Sequence, residues 1–346
     1  MGIVTAQVMP TRQRVVLGLE TALAAGLASV LFALVDGDLR GRLFAGLSAA
    51  LLMQCDAGRT RPDRQRTLLG MGAAMTVAVA LGLLSLRVQA VHEAGLVGAA
   101  FLVFFARERL QGRPRFTVYV FVAYVITGLA GASGTPPGVG RTLLLAGAVT
   151  LGMGTSFVVR FYLLPQSLSN TLARLFVRST TLTDEASASP PSLPARAPTH
   201  LMPVRAAVVA IAAIAVSHAF KVERAYWMEL AAVVLVNETL NESARKSAER
   251  FGMTLGGCAI GWGLHQLLFG HPWPERAGLL LAVFLAAFFR PVSYPKMVLF
   301  ITVYVSFLFS LLGQWTLHVL ALRIIDTGIG GALAVAGALL VRPRAP

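Results

Sequence analysis

Apolar residues run through this chain in long unbroken stretches separated by short polar breaks, without the strict alternation of a half-buried strand. A helix of roughly 20 residues covers about 30 Å of hydrocarbon, and in lipid only helices or closed barrels satisfy their backbone groups. Uninterrupted runs favour helices over a barrel. The pattern predicts spans at 15–35, 40–55, 68–86, 90–106, 115–131, 142–164, 203–220, 224–240, 252–269, 276–290, 295–313 and 324–342. The expectation is an all-α polytopic membrane protein with about twelve transmembrane helices. The first run is too long for a cleavable signal peptide and lacks a small-residue cleavage pattern.

The runs occur twice. At an offset of 184, Leu51, Arg61, Arg66 and Gly72 fall on Leu235, Arg245, Arg250 and Gly256; at 182, Leu129, Gly131, Arg141 and Leu151 fall on Leu311, Gly313, Arg323 and Leu333. Six crossings is an even number, so both halves enter the bilayer from the same side, as parallel repeats about an axis along the membrane normal. The expected division is a first six-helix repeat over 1–164, a cytoplasmic segment over 165–203 and a second repeat over 204–346. Within that segment, Leu168, Leu172, Leu175 and Phe176 take helical spacing, which predicts a short amphipathic helix over Ser167–Arg178 on the cytoplasmic leaflet. Ser, Pro and Thr are dense from Ser179 to Pro203, a composition that cannot bury a core.

Composition agrees with the pattern: 56% of residues are hydrophobic and only 13% charged, with a mean hydropathy of +0.70. The net charge of +14 invites a nucleic-acid partner. Its distribution excludes one, because 22 of the 30 Lys and Arg residues sit in or beside the termini and alternate connections. That is the positive-inside pattern, and it places both termini and the spacer in the cytoplasm. Cys55 and Cys258 are too far apart in the expected topology to pair, and no Cys/His spacing suits a metal. No phosphate-binding loop or soluble catalytic domain is present, so neither a cofactor nor an enzyme activity is expected.

Spans 2 and 8 are short. Leu43–Met53 and Trp227–Val236 are apolar apart from Glu229, about 15–17 Å of helix. Short segments at matching places in two halves point to a transport site, since a truncated helix must end where protein or water satisfies its backbone. Small residues at packing spacing, Gly70 with Ala74, Gly252 with Gly256 and Gly257 with Gly261, predict close approaches of spans 3 and 9 to their neighbours. Tyr226, Trp227, Trp273 and Trp315 fall at predicted periplasmic boundaries, where amphipathic rings prefer to sit.

The stretch Ala225-Tyr226-Trp227 leading into Ala231–Val236, followed by Arg245, Arg250, Thr254 and Gly257, resembles the fusaric acid resistance family, related to the aromatic acid exporters. Arg323, Asp326, Thr327 and Gly330 resemble that family's closing Arg-x-x-Asp-Thr-x-x-Gly. The likeness is clear over the second half and weak over the first, where Arg42-Leu43 stands in place of Tyr226-Trp227; Met253 replaces an expected Gly, and the spacer is shorter than the family's cytoplasmic domain. The resemblance implies a multi-pass protein of the bacterial inner membrane that exports small organic anions such as aromatic carboxylates. It leaves open a periplasmic adaptor protein and a homo-oligomer as partners beside the lipid bilayer.

Ionisable groups inside a membrane cost about 2.5–3.5 kcal/mol at a helix centre and are usually functional or paired. The acidic ones are Glu20 in span 1, Glu229 in span 8 and Asp326 in span 12. Arg323 and Asp326, three apart, share a helix face and suit either a structural ion pair or a proton pathway. Glu20 has Ile211 as its counterpart, which fits one proton site per chain or a carboxylate reaching the near surface. His218 and His265 lie near span ends, as titrating groups or as interfacial polar residues. Arg61, Arg64, Arg66, Arg245 and Arg250 line the turns after the short helices and either set topology or draw anions to a cytoplasmic entrance.

Two alternatives remain. Asp56-Ala57-Gly58-Arg59 through Arg64 imperfectly echoes the loop of a major-facilitator-type transporter, which calls for twelve full-length helices around one cavity. A membrane enzyme or scaffold acting on lipid-linked substrates would display Asp or His on a sizeable loop, whereas these loops are brief and carry mainly Arg.

Overall fold

The computed structural model describes residues 11–36, 38–54, 61–109, 117–131, 138–163, 201–268, 271–314 and 316–341. Among them are twelve helices and no strand. The first six are α1 (Thr11–Val35), α2 (Leu39–Met53), α3 (Arg61–Ser85), α4 (Gln89–Arg109), α5 (Thr117–Gly131) and α6 (Val139–Val158), which ends in a wider π-helical turn, Val159–Leu163. The second six are α7 (Leu201–Phe220), α8 (Tyr226–Val234), α9 (Leu240–Leu268), α10 (Pro272–Phe289), α11 (Tyr294–Leu311) and α12 (Leu317–Leu340). The expected amphipathic helix at Ser167–Arg178, most of the spacer, Cys55, the loop at 55–60 and Trp315 lie outside the described residues.

Seven helices, α1, α3, α4, α6, α7, α11 and α12, are long and apolar enough to cross a membrane. The protein is therefore a multi-pass membrane protein. The remaining five depart from the expected spans for identifiable reasons. α2 and α8 are short, with 15 and 9 residues. α5 offers only the shorter apolar stretch Val118–Gly128. α9 and α10 begin with polar turns. α9 starts at Leu240 rather than at 252 because Thr239 Oγ1 accepts from the Glu242 amide, and Lys246–Glu242 and Arg245–Glu249 pair one turn apart. Hydropathy marks where a helix meets apolar surroundings, not where it begins. α12 likewise starts at Leu317, capped by the Thr316 hydroxyl, so Asp326 lies well inside the helix rather than at its start. α7 begins at Leu201, inside the expected linker.

The helices pair in the same order in both halves. α1 packs on α2 and α6, α2 on α6, α3 on α4, α5 and α6, and α4 on α5; correspondingly α7 packs on α8 and α12, α8 on α12, α9 on α10, α11 and α12, and α10 on α11. Between the halves α1 meets α10 and α4 meets α7, two contacts related by the same correspondence, and α5 meets α8. Close approach at small residues makes these crossings. A Cβ at Gly152 would lie 2.5 Å from the Ala45 carbonyl oxygen, and one at Gly330 2.6 Å from that of Met228, so α6 presses on α2 as α12 does on α8. Similarly, a Cβ at Gly257 of α9 would lie 2.8 Å from the Leu299 carbonyl oxygen on α11. Gly70 and Gly252 have nothing within 4 Å, so those two glycines do not make the contacts their spacing suggests.

α8 is the most enclosed element: every residue except Glu229 and Val234 is buried. Tyr226 and Trp227 are packed inside the bundle, and Trp227 lies edge-on to Phe309 at 6.1 Å. Trp273 is exposed, as an interfacial ring would be.

Candidate functional site

The two short helices run on into buried residues, Gln54 after α2 and Asn237 three positions after α8, whose carbonyl groups need partners. Arginines from neighbouring segments satisfy them. Beyond α8, Arg205 of α7 donates from Nη1 to the carbonyl oxygens of Asn237 and, at 3.1 Å, Glu238, and from Nη2 to that of Val341 at 2.7 Å. Beyond α2, Arg290 donates to the Gln54 carbonyl oxygen while its guanidinium lies 5.4 Å from the Tyr119 ring centroid. A guanidinium suits a helix C-terminus because it offers several donors in a plane and its charge opposes the negative end of the helix dipole. Asn237 further anchors the turn: its amide nitrogen donates to Leu235 O at 2.8 Å, and Lys246 Nζ donates to its Oδ1 at 2.6 Å.

At the other end of α8, α12 lays Arg323, Asp326, Thr327 and Gly330 along one buried face. The close approach at Gly330 brings this face against α8. The Arg323 guanidinium stacks on Trp227, 3.6 Å from the ring centroid. Asp326 is 0% exposed, and neither of its carboxylate oxygens has a hydrogen-bond partner among the described residues; nor does Arg323 Nε. Arg323 and Asp326 therefore share a face without forming an ion pair, because the guanidinium is drawn onto the indole. Tyr226 and Trp227, with ring centroids 4.9 Å apart, form the wall opposite. Buried polar atoms are nearly always partnered in folded proteins, so three unpartnered atoms within one cluster mark a place built for something other than packing.

Glu229, half-buried on α8, lies in the field of Asp326, Glu93 and His218. His218 and Glu93 join α7 to α4 through a 2.7 Å contact, so His218 is not a lone interfacial histidine. His265 is also engaged: its Nδ1 is 2.9 Å from Ser310 Oγ, which donates to Glu275 Oε1 at 2.9 Å. A comparable polar cluster joins the corresponding helices of the first half, where Ser85 Oγ is 2.9 Å from His92 Nδ1 and 3.1 Å from Tyr124 Oη.

The other sequence candidates lie apart from this cluster. Glu20 is buried on α1 and ion-paired with Arg160 of the π-helical turn, so its charge is compensated within the first half. Arg61 donates to the Phe161 carbonyl oxygen at 3.1 Å and ties α3 to the same turn. Arg66 and Arg245 are exposed, Arg245 within 3.8 Å of Glu249. Arg250 is half-buried, and its charge reaches Arg323. Sequence reasoning passed over Arg160, Arg205 and Arg290. The rule that singles out intramembrane carboxylates finds the first two when applied to cations inside apolar runs; Arg290, at a span end, carried no such signal. Among the described residues no three His, Cys, Asp or Glu side chains gather as a metal site would require.

A small, partly open cleft lies between α2, α5 and α11, lined by Leu43, Phe44, Leu47, Ile126 and Leu308, with Arg40 and Gln314 among its walls. No curated protein and no solved structure matches the chain. A family model does match residues 208–337, from within α7 to within α12, and the matched stretch holds Tyr226, Trp227, Glu229, Arg323 and Asp326. Residues 208–337 of this membrane protein thus match the family model described as fusaric acid resistance protein-like.

Proposed function

We propose that the protein is a secondary efflux transporter of the bacterial inner membrane that moves small amphipathic organic anions, such as aromatic carboxylic acids, outward in exchange for protons. The observation that carries this is the unpartnered Asp326 carboxyl, fully buried beside Arg323 in a membrane helix. An ionised carboxylate without partners in a low-dielectric interior is costly, so such a group is retained where its charge is worked on during a cycle. Asp326 carries the exchanged proton, Glu229 relays it towards Glu93 and His218, and Arg323, held by Trp227, supplies the positive charge that an anion passes.

Two six-helix repeats inserted in parallel, with both termini cytoplasmic, supply the frame. The repeated order of helix pairings and the skewed distribution of Lys and Arg support that arrangement. The N-terminal half of α9, which carries Arg245 and Arg250 in place of the turn expected from sequence, then faces the cytoplasm and attracts the anion. A major-facilitator-type arrangement would need α8 to be a full-length span, and its 9 residues weigh against that.

The test is proton-driven efflux of an aromatic carboxylate from reconstituted vesicles. Asp326→Asn and Glu229→Gln each abolish pH-driven transport while the purified proteins elute and melt like the parent. Unchanged transport in both variants removes the carboxyls from the mechanism.

A further inference from the structure

The described histidines gather at one end of the bundle. His92 is in the first turn of α4, His218 in the last turn of α7, His265 in the last turn of α9, His271 just before α10 and His318 in the first turn of α12. Three of them face a carboxylate: His265 Nδ1 stands 3.6 Å from Glu275 Oε1, His318 Nε2 3.0 Å from Glu223 Oε2 and His218 Nε2 2.7 Å from Glu93 Oε1. The first two stay within the second half, linking α9 to α10 and α12 to the turn after α7. His218 and Glu93 join α7 to α4, and theirs is the pair that crosses from one half to the other at this end among the described residues.

The two related seams between the halves are held differently. α1 and α10 interlock by shape, since a Cβ at Gly18 would lie 2.7 Å from the Phe284 ring and one at Gly26 3.5 Å from the Leu280 side chain. On α4, Gly98 has nothing within 4 Å and Gly95 faces Tyr124 of its own half. The α4–α7 seam instead carries a titratable pair. An imidazole changes charge between about pH 5 and 8, whereas an ordinary carboxylate stays ionised down to about pH 4. The pair thus gains a second charge, and a stronger hydrogen bond, as the pH falls through the imidazole range, and loses both as it rises.

The charged groups around His218 come from every neighbouring element. Glu229 of α8 places a second negative charge in the same field as Glu93. Glu223 is engaged by His318 of α12, and Arg224 lies over Phe309 and donates to Gln314. His92, beside Glu93 on α4, is bound to Ser85; Arg323 and Asp326 of α12 lie deeper. Lys221 after α7 and Arg87 before α4 are the cations of the flanking turns that oppose protonation.

We propose that His218 and Glu93 form a proton-operated clasp between the two halves, holding the α4 and α7 ends together in acid and letting them part in alkali, with the α1–α10 seam as the fixed side. The clasp rests on the transport reading for its use: with this end outward, an acidic exterior favours a closed outer seam. Its partners are partly exposed, 52% and 26%, so it shifts a balance between two arrangements rather than locking one.

Spin-label distances in the full-length protein test this, with Cys55→Ser and Cys258→Ala in every sample. Labels at Val88→Cys and Leu317→Cys span the halves, and labels at Phe220→Cys and Leu267→Cys report on the second half alone; all four positions are exposed. Between about pH 5.5 and about pH 8 the short-distance fraction of the spanning pair falls at least about twofold, and the second-half pair does not move. His218→Arg, a cation at both pH values, keeps the short distance throughout. His218→Gln and Glu93→Gln remove the pair from opposite sides and show the long distance at both pH values; the Arg variant separates loss of the pair from loss of the fold. A spanning distance that ignores pH in the parent, a shift that survives in both Gln variants, or an equal shift within the second half overturns the clasp. Proton-driven efflux by the parent separates the two readings: the shift without efflux keeps the clasp and removes the transport reading, and efflux without the shift does the reverse.

Discussion

Replacing Gly330 with alanine places a Cβ 2.6 Å from the Met228 carbonyl oxygen, 2.7 Å from the Ala231 Cβ and 2.9 Å from the Ala232 nitrogen. Two of those three neighbours are backbone atoms of α8, so no side chain can swing away, and α12 must retreat by about 0.8 Å to reach an ordinary contact. Overpacking of this kind costs about 1–3 kcal/mol. Alanine's advantage over glycine in a helix, about 1 kcal/mol, opposes it. The net expectation is a loss of about 0–2 kcal/mol, read as a lower midpoint in thermal melts followed by far-ultraviolet circular dichroism in a single detergent. Because Trp227, on which Arg323 stacks, immediately precedes Met228 in α8, tryptophan emission shifts with the retreat. Gly252→Ala is the matched control: nothing lies within 4 Å of its Cβ, so only the helix-propensity gain remains, and its midpoint stays level or rises. A Gly330→Ala protein that melts at or above both the parent and the control refutes the packing argument.

The Glu20–Arg160 pair is buried, so Glu20→Leu alone leaves an uncompensated guanidinium and costs about 3–5 kcal/mol, while the double variant with Arg160→Leu recovers most of it. A double-mutant cycle in melting experiments measures this, and a coupling below about 1 kcal/mol contradicts the pairing. Arg205→Met strips three carbonyl oxygens of a charged donor, each bond contributing about 1.5–3 kcal/mol, and speeds amide exchange around residues 235–241; Arg205→Lys restores part of the protection. Exchange unchanged in Arg205→Met shows that the turn beyond α8 holds without its cap.

The sequence by itself determined the class and the order of the elements. Long apolar runs must be helices in lipid, and the doubled series of runs announced the doubled helix pairing, because backbone hydrogen bonding leaves few choices in hydrocarbon. It also drew attention to α8 and to Asp326, since truncation and intramembrane charge are both costly and therefore visible in one dimension. Hydropathy could not say where helices start, as α9 and α12 show: capping and pairs one turn apart extend a helix beyond its apolar part. Nor could it say which way a ring faces. Tyr226 and Trp227 suit a membrane boundary equally well by composition, and only the packing of α8 against α5 and α12 turned them inward.

Pairing of charges was decided by the tertiary structure alone. Arg323 and Asp326 are helix neighbours, and spacing permits them to meet; the indole of Trp227, 96 positions away from Arg323 in the sequence, takes the guanidinium instead and leaves the carboxyl unpartnered. Glu20 found Arg160, and the ends of α2 and α8 found Arg290 and Arg205, through contacts between segments far apart in the chain. Local sequence sets what each helix offers on its faces. Which offers are accepted depends on how the helices cross, and that is fixed by close approaches such as Gly152 on Ala45 and Gly330 on Met228, which no periodicity encodes.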